Sequence, residues 1–327
     1  MKNPRLCRGM IILDLSGEGV IQSNKNGRPD PPGRRKRGMD MKFLGTSAGE
    51  GIPDPFCTCP ICENARRVGG KELRTRSSFL LDEETIIDLG ADYFAQARDH
   101  ALRLDKLRRV LLTHTHDDHF NYTFFWERSV KRAGTDEPLT VILSEEGKRF
   151  FDELYVLSPA LGGEKLISSP NAVLRAVTPG VPFEAGEYRV TPLRGRHSTV
   201  YEKNSTNYLI ERNGESLYYA LDSGYFLEET FAALRGRRLT YFIGECTFPV
   251  DFDYMTRESA HMDKRRFVEN LDKLYEIGAV DEKTKIFATH ISPFGSTHET
   301  LSAYFASLDR PYRVEVAYDG LELPALG

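Results

Sequence analysis

The sequence contains 327 residues, of which 40% are hydrophobic and 28% are charged, the balance of an ordinary globular protein that can bury a sizeable core. Its formal net charge of -4 excludes a surface that is basic overall and suited to non-specific nucleic-acid binding. No apolar run approaches the length of a membrane span, and the N-terminus lacks the apolar core of a signal peptide, so we expect a cytoplasmic protein.

The first 38 residues differ in composition from the rest of the chain. Residues 24–38 are polar, contain proline and glycine, and include the basic run Arg34–Arg37. A stretch of this composition cannot build a core, so we predict a disordered leader over residues 1–38 and a folded domain over residues 39–327. A nucleic-acid contact by the basic run is the alternative, which we disfavour because no aromatic residue separates the charges.

Three cysteines follow the first predicted strand, Met41–Thr46, at C-x-C-x-x-C spacing: Cys57, Cys59 and Cys62. Thiolates at this spacing can converge on one tetrahedral ion, and their softness selects zinc. Three cysteines exceed what a redox dithiol needs, and the surrounding loop offers little apolar cover for buried thiols. The sequence therefore predicts a structural zinc whose fourth ligand comes from elsewhere in the chain.

A denser cluster of ligand-type residues follows Val110–Leu112, an apolar run that predicts a short buried strand. Four candidates lie within the next seven residues: His114, His116, Asp118 and His119. His114 and His116 alternate along an extended backbone and can point the same way. Imidazole nitrogen and carboxylate oxygen together suit zinc, manganese or iron, so this stretch is interpreted as a metal site.

Other candidates are less distinctive when each is taken alone. Asp222 follows the second strand of a predicted hairpin that turns at Asn213-Gly214. His197 lies just past a strand, His261 precedes an amphipathic helix, and His290 ends an apolar strand. A lone histidine such as His197 is usually a surface or core residue, and the alternative for His261 is a helix-start histidine with no chemical role.

The pattern His-x-His-x-Asp-His after a hydrophobic strand resembles the signature of the metallo-β-lactamase superfamily. The resemblance implies an α/β protein with the metallo-β-lactamase αββα four-layer sandwich and a dinuclear metal site at one edge. With the C-x-C-x-x-C motif, the order of motifs over about residues 41–327 is similar to the phosphoribosyl cyclic phosphodiesterases of the carbon–phosphorus lyase pathway. Val314–Leu323 resembles the closing strand of that family.

The resemblance implies a ligand set for two divalent cations, zinc or manganese, in addition to the structural zinc. One cation would bind His114, His116 and His197, the other Asp118, His119 and His290, with Asp222 bridging the two. Asp118 and His261 would be the catalytic residues, with His261 protonating the leaving oxygen or contacting the phosphate.

The resemblance fails at one ligand of the cysteine zinc. In these phosphodiesterases a histidine three positions after the last active-site histidine completes that site, and the corresponding residue here is Pro293. Proline cannot ligate zinc through a side chain, so we expect His298 on the same loop to substitute, with water or an unfilled position as the alternatives.

Together these residues predict a metal-dependent phosphodiesterase that hydrolyses a small cyclic or nucleotide-like phosphodiester. Two cations about 3.5–4 Å apart would lower the pKa of a shared water, and the metal-bridging hydroxide would attack phosphorus. The alternatives are an RNA-processing nuclease similar to tRNase Z and a cofactor-biosynthesis protein similar to pyrroloquinoline quinone biosynthesis protein B. We expect a small phosphodiester as partner, neither nucleic acid nor membrane, and a chain compatible with a homodimer.

Overall fold

The computed structural model describes residues 40–129, 137–156 and 172–327, so the predicted leader over residues 1–38 lies outside the described part of the chain. The strands, in chain order, are β1 (Met41–Gly45), β2 (Ser78–Asp82), β3 (Thr85–Ile87), β4 (Arg109–Leu111), β5 (Leu139–Ser144), β6 (Ala172–Val177), β7 (Phe183–Ala185), β8 (Tyr188–Arg194), β9 (Thr206–Arg212), β10 (Glu215–Ala220), β11 (Tyr241–Glu245), β12 (Lys285–Thr289), β13 (Val314–Val316) and β14 (Glu322–Leu323). The helices are α1 (Pro60–Val68), α2 (Tyr93–Asp99), α3 (Thr123–Ser129), α4 (Glu145–Val156), α5 (Glu228–Leu234), α6 (Lys264–Glu276) and α7 (His298–Ala306).

The described strands form two sheets of similar construction. The first has the order β14-β1-β2-β3-β4-β5-β6 and the second the order β13-β12-β11-β10-β9-β8-β7. In each sheet a set of antiparallel strands joins a parallel set, which begins at β3 in the first sheet and at β10 in the second. The parallel strands end on the same edge of each sheet, where loops can bring ligand-type residues together.

Apolar side chains divide the protein into four layers. Phe43, Phe79 and Ile142 of the first sheet pack with residues of the second sheet such as Tyr208 and Tyr219, all fully buried. The outer face of the first sheet packs against α2, α3 and α4, and the outer face of the second packs against α5, α6 and α7. This order of helix, sheet, sheet and helix is the predicted αββα sandwich.

The C-terminal segment differs from the expectation of one closing strand over Val314–Leu323. β13 pairs with β12 in the second sheet, whereas β14 pairs with β1 in the first sheet. Between them Asp319 accepts hydrogen bonds from the backbone and hydroxyl of Thr75 and from the hydroxyl of Thr46. The chain crosses from one sheet to the other here, so a single strand cannot form. Among the described residues, no helix has the length and hydropathy that a membrane span requires.

Candidate active site

Several residues of the site lie just after strands and have positive φ angles. Asp88 follows β3, Asp222 follows β10 by two positions, and His290 follows β12, with φ angles of 59°, 48° and 56°. A left-handed conformation costs a non-glycine residue about 1–2 kcal/mol, and such residues concentrate at functional sites. The surrounding fold therefore imposes these three turns and directs the three side chains to one place.

Three histidines form the first group of ligand-type atoms. His114 Nε2 lies 3.0 Å from His116 Nδ1, and His197 Nε2 lies 3.1 Å from the same atom. His114 and His197 are buried. Burial lowers the pKa of His114, and it lowers the pKa of His197 to about 4, so both rings are neutral at pH 7, which is the form that binds a metal.

Asp118, His119 and His290 form the second group. The Nε2 atoms of His119 and His290 are 3.3 Å apart, and Asp118 Oδ2 lies 3.2 Å from His119 Nε2 and 3.8 Å from His290 Nε2. Burial raises the pKa of Asp118, but the neighbouring His119 outweighs burial and the pKa lies well below its ordinary value. The carboxylate is therefore ionised and can bind a cation.

Asp222 lies between the two groups. Its Oδ2 is 3.0 Å from His119 Nε2 and 3.1 Å from His290 Nε2, and its Oδ1 is 3.7 Å from His197 Nε2. The buried Oδ2 has no hydrogen-bond partner. An ionised oxygen in that situation is costly unless a positive charge compensates it.

In His119 and His290, the ring nitrogen that points away from the site, here called the outer nitrogen, is hydrogen-bonded to another side chain. His119 Nδ1 lies 2.7 Å from Asp88 Oδ2, and His290 Nδ1 lies 2.9 Å from the Thr247 hydroxyl. Asp88 accepts a hydrogen bond from His119 Nδ1, which turns the Nε2 atom of the ring inward toward Asp118 and Asp222. The inward-facing ring nitrogens, the Asp222 carboxylate between the two groups and its unsatisfied buried oxygen together fit divalent cations. The seven residues His114, His116, Asp118, His119, His197, Asp222 and His290 are called the histidine site below.

Residues outside the histidine site fix the loop that follows β4. Asp88, fully buried, accepts the backbone N–H of Thr113 at 2.8 Å as well as the proton of His119. Glu202 accepts the backbone N–H and the hydroxyl of Thr115 at 2.7 and 2.6 Å. A Cβ atom at Gly90 would lie 2.1 Å from the carbonyl oxygen of Asp118, so only glycine permits this approach.

His261 lines the same cavity and is oriented by Glu245. The cavity of about 390 Å³ is bordered by His116, Asp118, His197, Asp222 and His290 as well as by His261. His261 Nδ1 lies 3.0 Å from Glu245 Oε2, and Glu245 Oε1 accepts the backbone N–H groups of Ser223 and Gly224. Burial lowers the pKa of His261, but the Glu245 carboxylate outweighs it and raises the pKa to about 9.

Glu245 was not identified from the sequence. It is completely buried at the end of β11 and contacts both His261 and the turn that follows Asp222. A charged residue that ends the apolar run Tyr241–Gly244 was the available signal, because a buried carboxylate needs partners. Glu202 lies in a loop of ordinary composition, and nothing in the sequence distinguishes it.

The three cysteines also converge. The sulfur atoms of Cys57, Cys59 and Cys62 all lie within 4.8 Å of one another, and they are called the cysteine site below. Cys59 is the N-cap of α1, where free backbone N–H groups favour thiolates. Cys62 is buried, whereas Cys57 and Cys59 are half-buried beside the exposed Phe56. Three sulfur donors in this arrangement fit one zinc ion.

The structure places the two candidate positions for a fourth zinc ligand differently. The carbonyl oxygen of Pro293 lies 3.7 Å from Cys59 Sγ, so this position borders the thiols but offers no imidazole. His298 begins α7, and its Nδ1 lies 2.9 Å from a guanidinium nitrogen of the buried Arg74. Burial and then Arg74 lower the pKa of His298 to about 4. The arginine engages one ring nitrogen and only Nε2 remains, so zinc ligation by His298 stays a prediction.

An αββα sandwich with histidine and aspartate clusters where its parallel strands end defines a class of metal-binding hydrolase folds. A family model described as a beta-lactamase superfamily domain matches residues 84–291, and the chain belongs to this family. Membership of the family and the His/Asp clusters together support a metal-dependent hydrolase that binds divalent cations.

Curated relatives carry different names. An octanoyltransferase from Porphyromonas gingivalis is 25% identical over 293 residues, which are 87% of this chain and 51% of that protein. A ribonuclease Z from a Picosynechococcus species is 28% identical over 159 residues, 49% of this chain and 44% of that protein. The chain spans about half the length of the curated relatives it matches.

Solved structures share the fold. A diphosphatase of the PhnP family superposes with a TM-score of 0.64 at 19% identity, over 86% of this chain and 95% of the other. Zinc-bound PqqB from Methylobacterium extorquens gives 0.64 at 18% identity, over 87% and 99%. The short form of human tRNase Z gives 0.57 at 16% identity, over 88% and 100%. These likenesses confirm the predicted fold.

Proposed function

We propose that this protein is a metal-dependent phosphodiesterase that hydrolyses a small cyclic or nucleotide-like phosphodiester. The observation that carries the proposal is the position of His261. Its ring borders the cavity of the histidine site, and Glu245 engages its Nδ1. The other ring nitrogen, Nε2, is left to act on a substrate, so a proton donor lies beside a site for two cations.

The histidine site would hold two divalent cations, one on His114, His116 and His197 and one on Asp118, His119 and His290. Asp222 would contact both, since its two oxygens face the two groups. When bound, the cations would activate a water and neutralise the charge on the attacking and leaving oxygens. An anionic diester suits such a site better than an uncharged amide, because the substrate's own charge adds to binding.

The protein's own residues would control position and proton transfer. Asp88, Thr247 and Thr113 orient the ligand histidines through their outer nitrogens. Asp118 borders the cavity with a carboxylate that can hold a cation and accept a hydrogen bond from the attacking water. His261 would give its proton to the leaving oxygen, a step that contributes about 10²–10⁴-fold in rate.

The test is a substrate comparison on protein reconstituted with zinc or manganese. We expect metal-dependent hydrolysis of cyclic and nucleotide-like phosphodiesters and of bis(4-nitrophenyl) phosphate, abolished by a chelator. Replacement of His116 by alanine should remove activity, whereas His100→Ala should retain it. His100 contacts the carbonyl oxygen of Leu44 and is outside the lining of the cavity, so it is a matched control.

The same comparison tests the second candidate. The partial similarity to ribonuclease Z supports an RNA-processing nuclease as the second candidate, and a tRNA precursor is the substrate that tests it. Cleavage of the precursor without hydrolysis of any small diester would overturn the phosphodiesterase proposal in favour of the nuclease. Absence of hydrolysis of every diester with either metal would overturn both.

A further inference from the structure

A group of aromatic rings extends outward from the cavity of the histidine site. Phe248 borders the cavity, and its ring centroid lies 6.1 Å from that of His261. Phe252 and Phe294 contact Phe248 at centroid distances of 5.2 and 5.6 Å, and Tyr254 stacks on Phe252 at 5.0 Å with an interplanar angle of 27°. Phe248, Phe252, Tyr254 and Phe294 are called the aromatic wall.

The aromatic wall leaves much of its surface in solvent. The side chain of Tyr254 is 70% exposed and that of Phe294 is 45% exposed. The exposed Phe56 and Phe94, by contrast, have no described ring contact with any aromatic residue. A contiguous apolar patch beside a polar cavity is typical of a ligand-binding surface, whereas isolated exposed rings need no explanation.

The wall belongs to the same loops as the site residues. Phe248, Phe252 and Tyr254 lie between β11 and α6, the segment that also carries His261. Phe294 lies in the loop after β12, four positions beyond His290. A ligand with a phosphate at the histidine site can therefore place an attached group against the rings without any change in the fold.

From this juxtaposition we infer that the aromatic wall binds the nucleobase of a nucleotide substrate whose phosphate lies at the histidine site. This inference rests on the proposed function and specifies its substrate class. Bases stack on aromatic faces with little dependence on sequence, each contributing about a tenfold or greater gain in affinity. Tyr254 is stacked on Phe252, and the other ring contacts of the wall are edge-to-face. Solvent-facing aromatic rings suit a planar group better than an alkyl chain, which would need an enclosed aliphatic groove.

The experiment measures binding rather than turnover. Metal-loaded protein is titrated calorimetrically with adenosine 5′-monophosphate, ribose 5-phosphate and octyl phosphate, which share a phosphate and differ in the attached group. We expect adenosine 5′-monophosphate to bind at least about tenfold more tightly than either of the other two. Equal binding of the first two, no measurable nucleotide binding, or equally tight binding of octyl phosphate would each overturn the inference.

Substitutions in the aromatic wall test whether it causes the preference for the nucleotide. Phe294→Ala should reduce the ratio of nucleotide to ribose 5-phosphate affinity most, because this ring contacts Phe248 directly, and Tyr254→Ala should reduce it less. Tyr254→Phe keeps the ring and should keep the wild-type affinity ratio. Phe94 lies on α2 and is 71% exposed, and Phe94→Ala should leave the ratio unchanged. An unchanged ratio in both alanine variants of the wall would contradict the inference.

The failure of this inference and the failure of the proposed function can be distinguished. A nucleotide preference that depends on the wall, in a protein that hydrolyses no diester, would overturn the phosphodiesterase proposal and leave the nucleobase site in place. Diester hydrolysis without any nucleotide preference would overturn the nucleobase site and leave the phosphodiesterase proposal in place.

Discussion

The histidine site and the cysteine site are both clusters of side chains that can ligate metals, but the surrounding residues hydrogen-bond to them differently. In the histidine site, Asp88 and Thr247 bind the outer nitrogens of His119 and His290, and Glu202 binds the loop between the histidines. In the cysteine site, the backbone N–H of Cys59 donates to the sulfur of Cys57, so the thiols are part of their own support.

The two sites also differ in burial. His114, His119, Asp222 and His290 are buried in the loops that follow core strands. Two of the three cysteines are half-buried, and neighbouring Phe56 is 97% exposed. We therefore expect the hydrophobic core to form the histidine site without its cations, whereas the cysteine loop depends on zinc for its conformation.

Substitution of Asp222 should have the largest effect on function. Asp222→Ala should lose bound metal and activity together. Loss of a residue that only orients a ligand lowers metal affinity or activity about 10–100-fold, and the loss here should be larger. Asp222→Asn is the matched variant, because asparagine tolerates the positive φ of this position and removes only the charge. Elemental analysis and diester turnover check both, and full metal occupancy in Asp222→Asn would contradict the bridging role.

Substitution of His261 should separate chemistry from metal binding. His261→Ala should keep the metals of the histidine site and lose about 10²–10⁴-fold in turnover of an unactivated diester. The loss should shrink for a 4-nitrophenyl diester, because nitrophenolate departs without a proton. An equal loss on both substrates would replace the role of proton donor with that of phosphate contact, and full activity on both would remove His261 from the mechanism.

Substitution in the cysteine site should affect stability more than chemistry. Cys59→Ser should lose one zinc equivalent and lower the melting temperature, because the free energy of zinc binding is free energy of folding. Zinc content measured against the wild type checks this, and unchanged content would contradict the cysteine site. His298→Ala tests the fourth ligand separately, and undiminished zinc affinity would point to water or another residue.

Removal of residues 1–38 should have the smallest effect. The composition of that stretch cannot form a core. Activity and melting temperature should both stay close to those of the full chain. A shift of many degrees would show that the leader packs against the domain and that the predicted boundary is wrong.

The sequence predicted the parts of the site that are contiguous or that a resemblance supplied. His114 to His119 form a dense local pattern after a buried strand, so the cluster was recognisable from spacing. His197, Asp222 and His290 lie far apart in the chain, and only the resemblance to the superfamily assigned them. In the structure, Asp222 lies between the two histidines, with Oδ1 3.7 Å from His197 Nε2 and Oδ2 3.1 Å from His290 Nε2.

The support of the sites was much less predictable. From the sequence, Asp88 was either a turn aspartate or, by resemblance to the superfamily, a residue that orients the metal loop. Glu245 and Glu202 depend on which loops the fold brings together. The predicted strand Val314–Leu323 divides between two sheets because Asp319 binds Thr75 and Thr46. Such tertiary contacts override local β-propensity, and the sequence alone does not show which contacts the fold will make.

Hydrogen exchange on metal-free protein tests the difference between the two sites most directly. After chelation, the amides of Thr113 and Thr115 should keep their protection, because Asp88 and Glu202 accept their protons at 2.8 and 2.7 Å. The amide of Cys59, whose acceptor is the sulfur of Cys57, should exchange faster by about tenfold or more. Loss of protection at Thr113 and Thr115 with unchanged exchange at Cys59 would contradict the account.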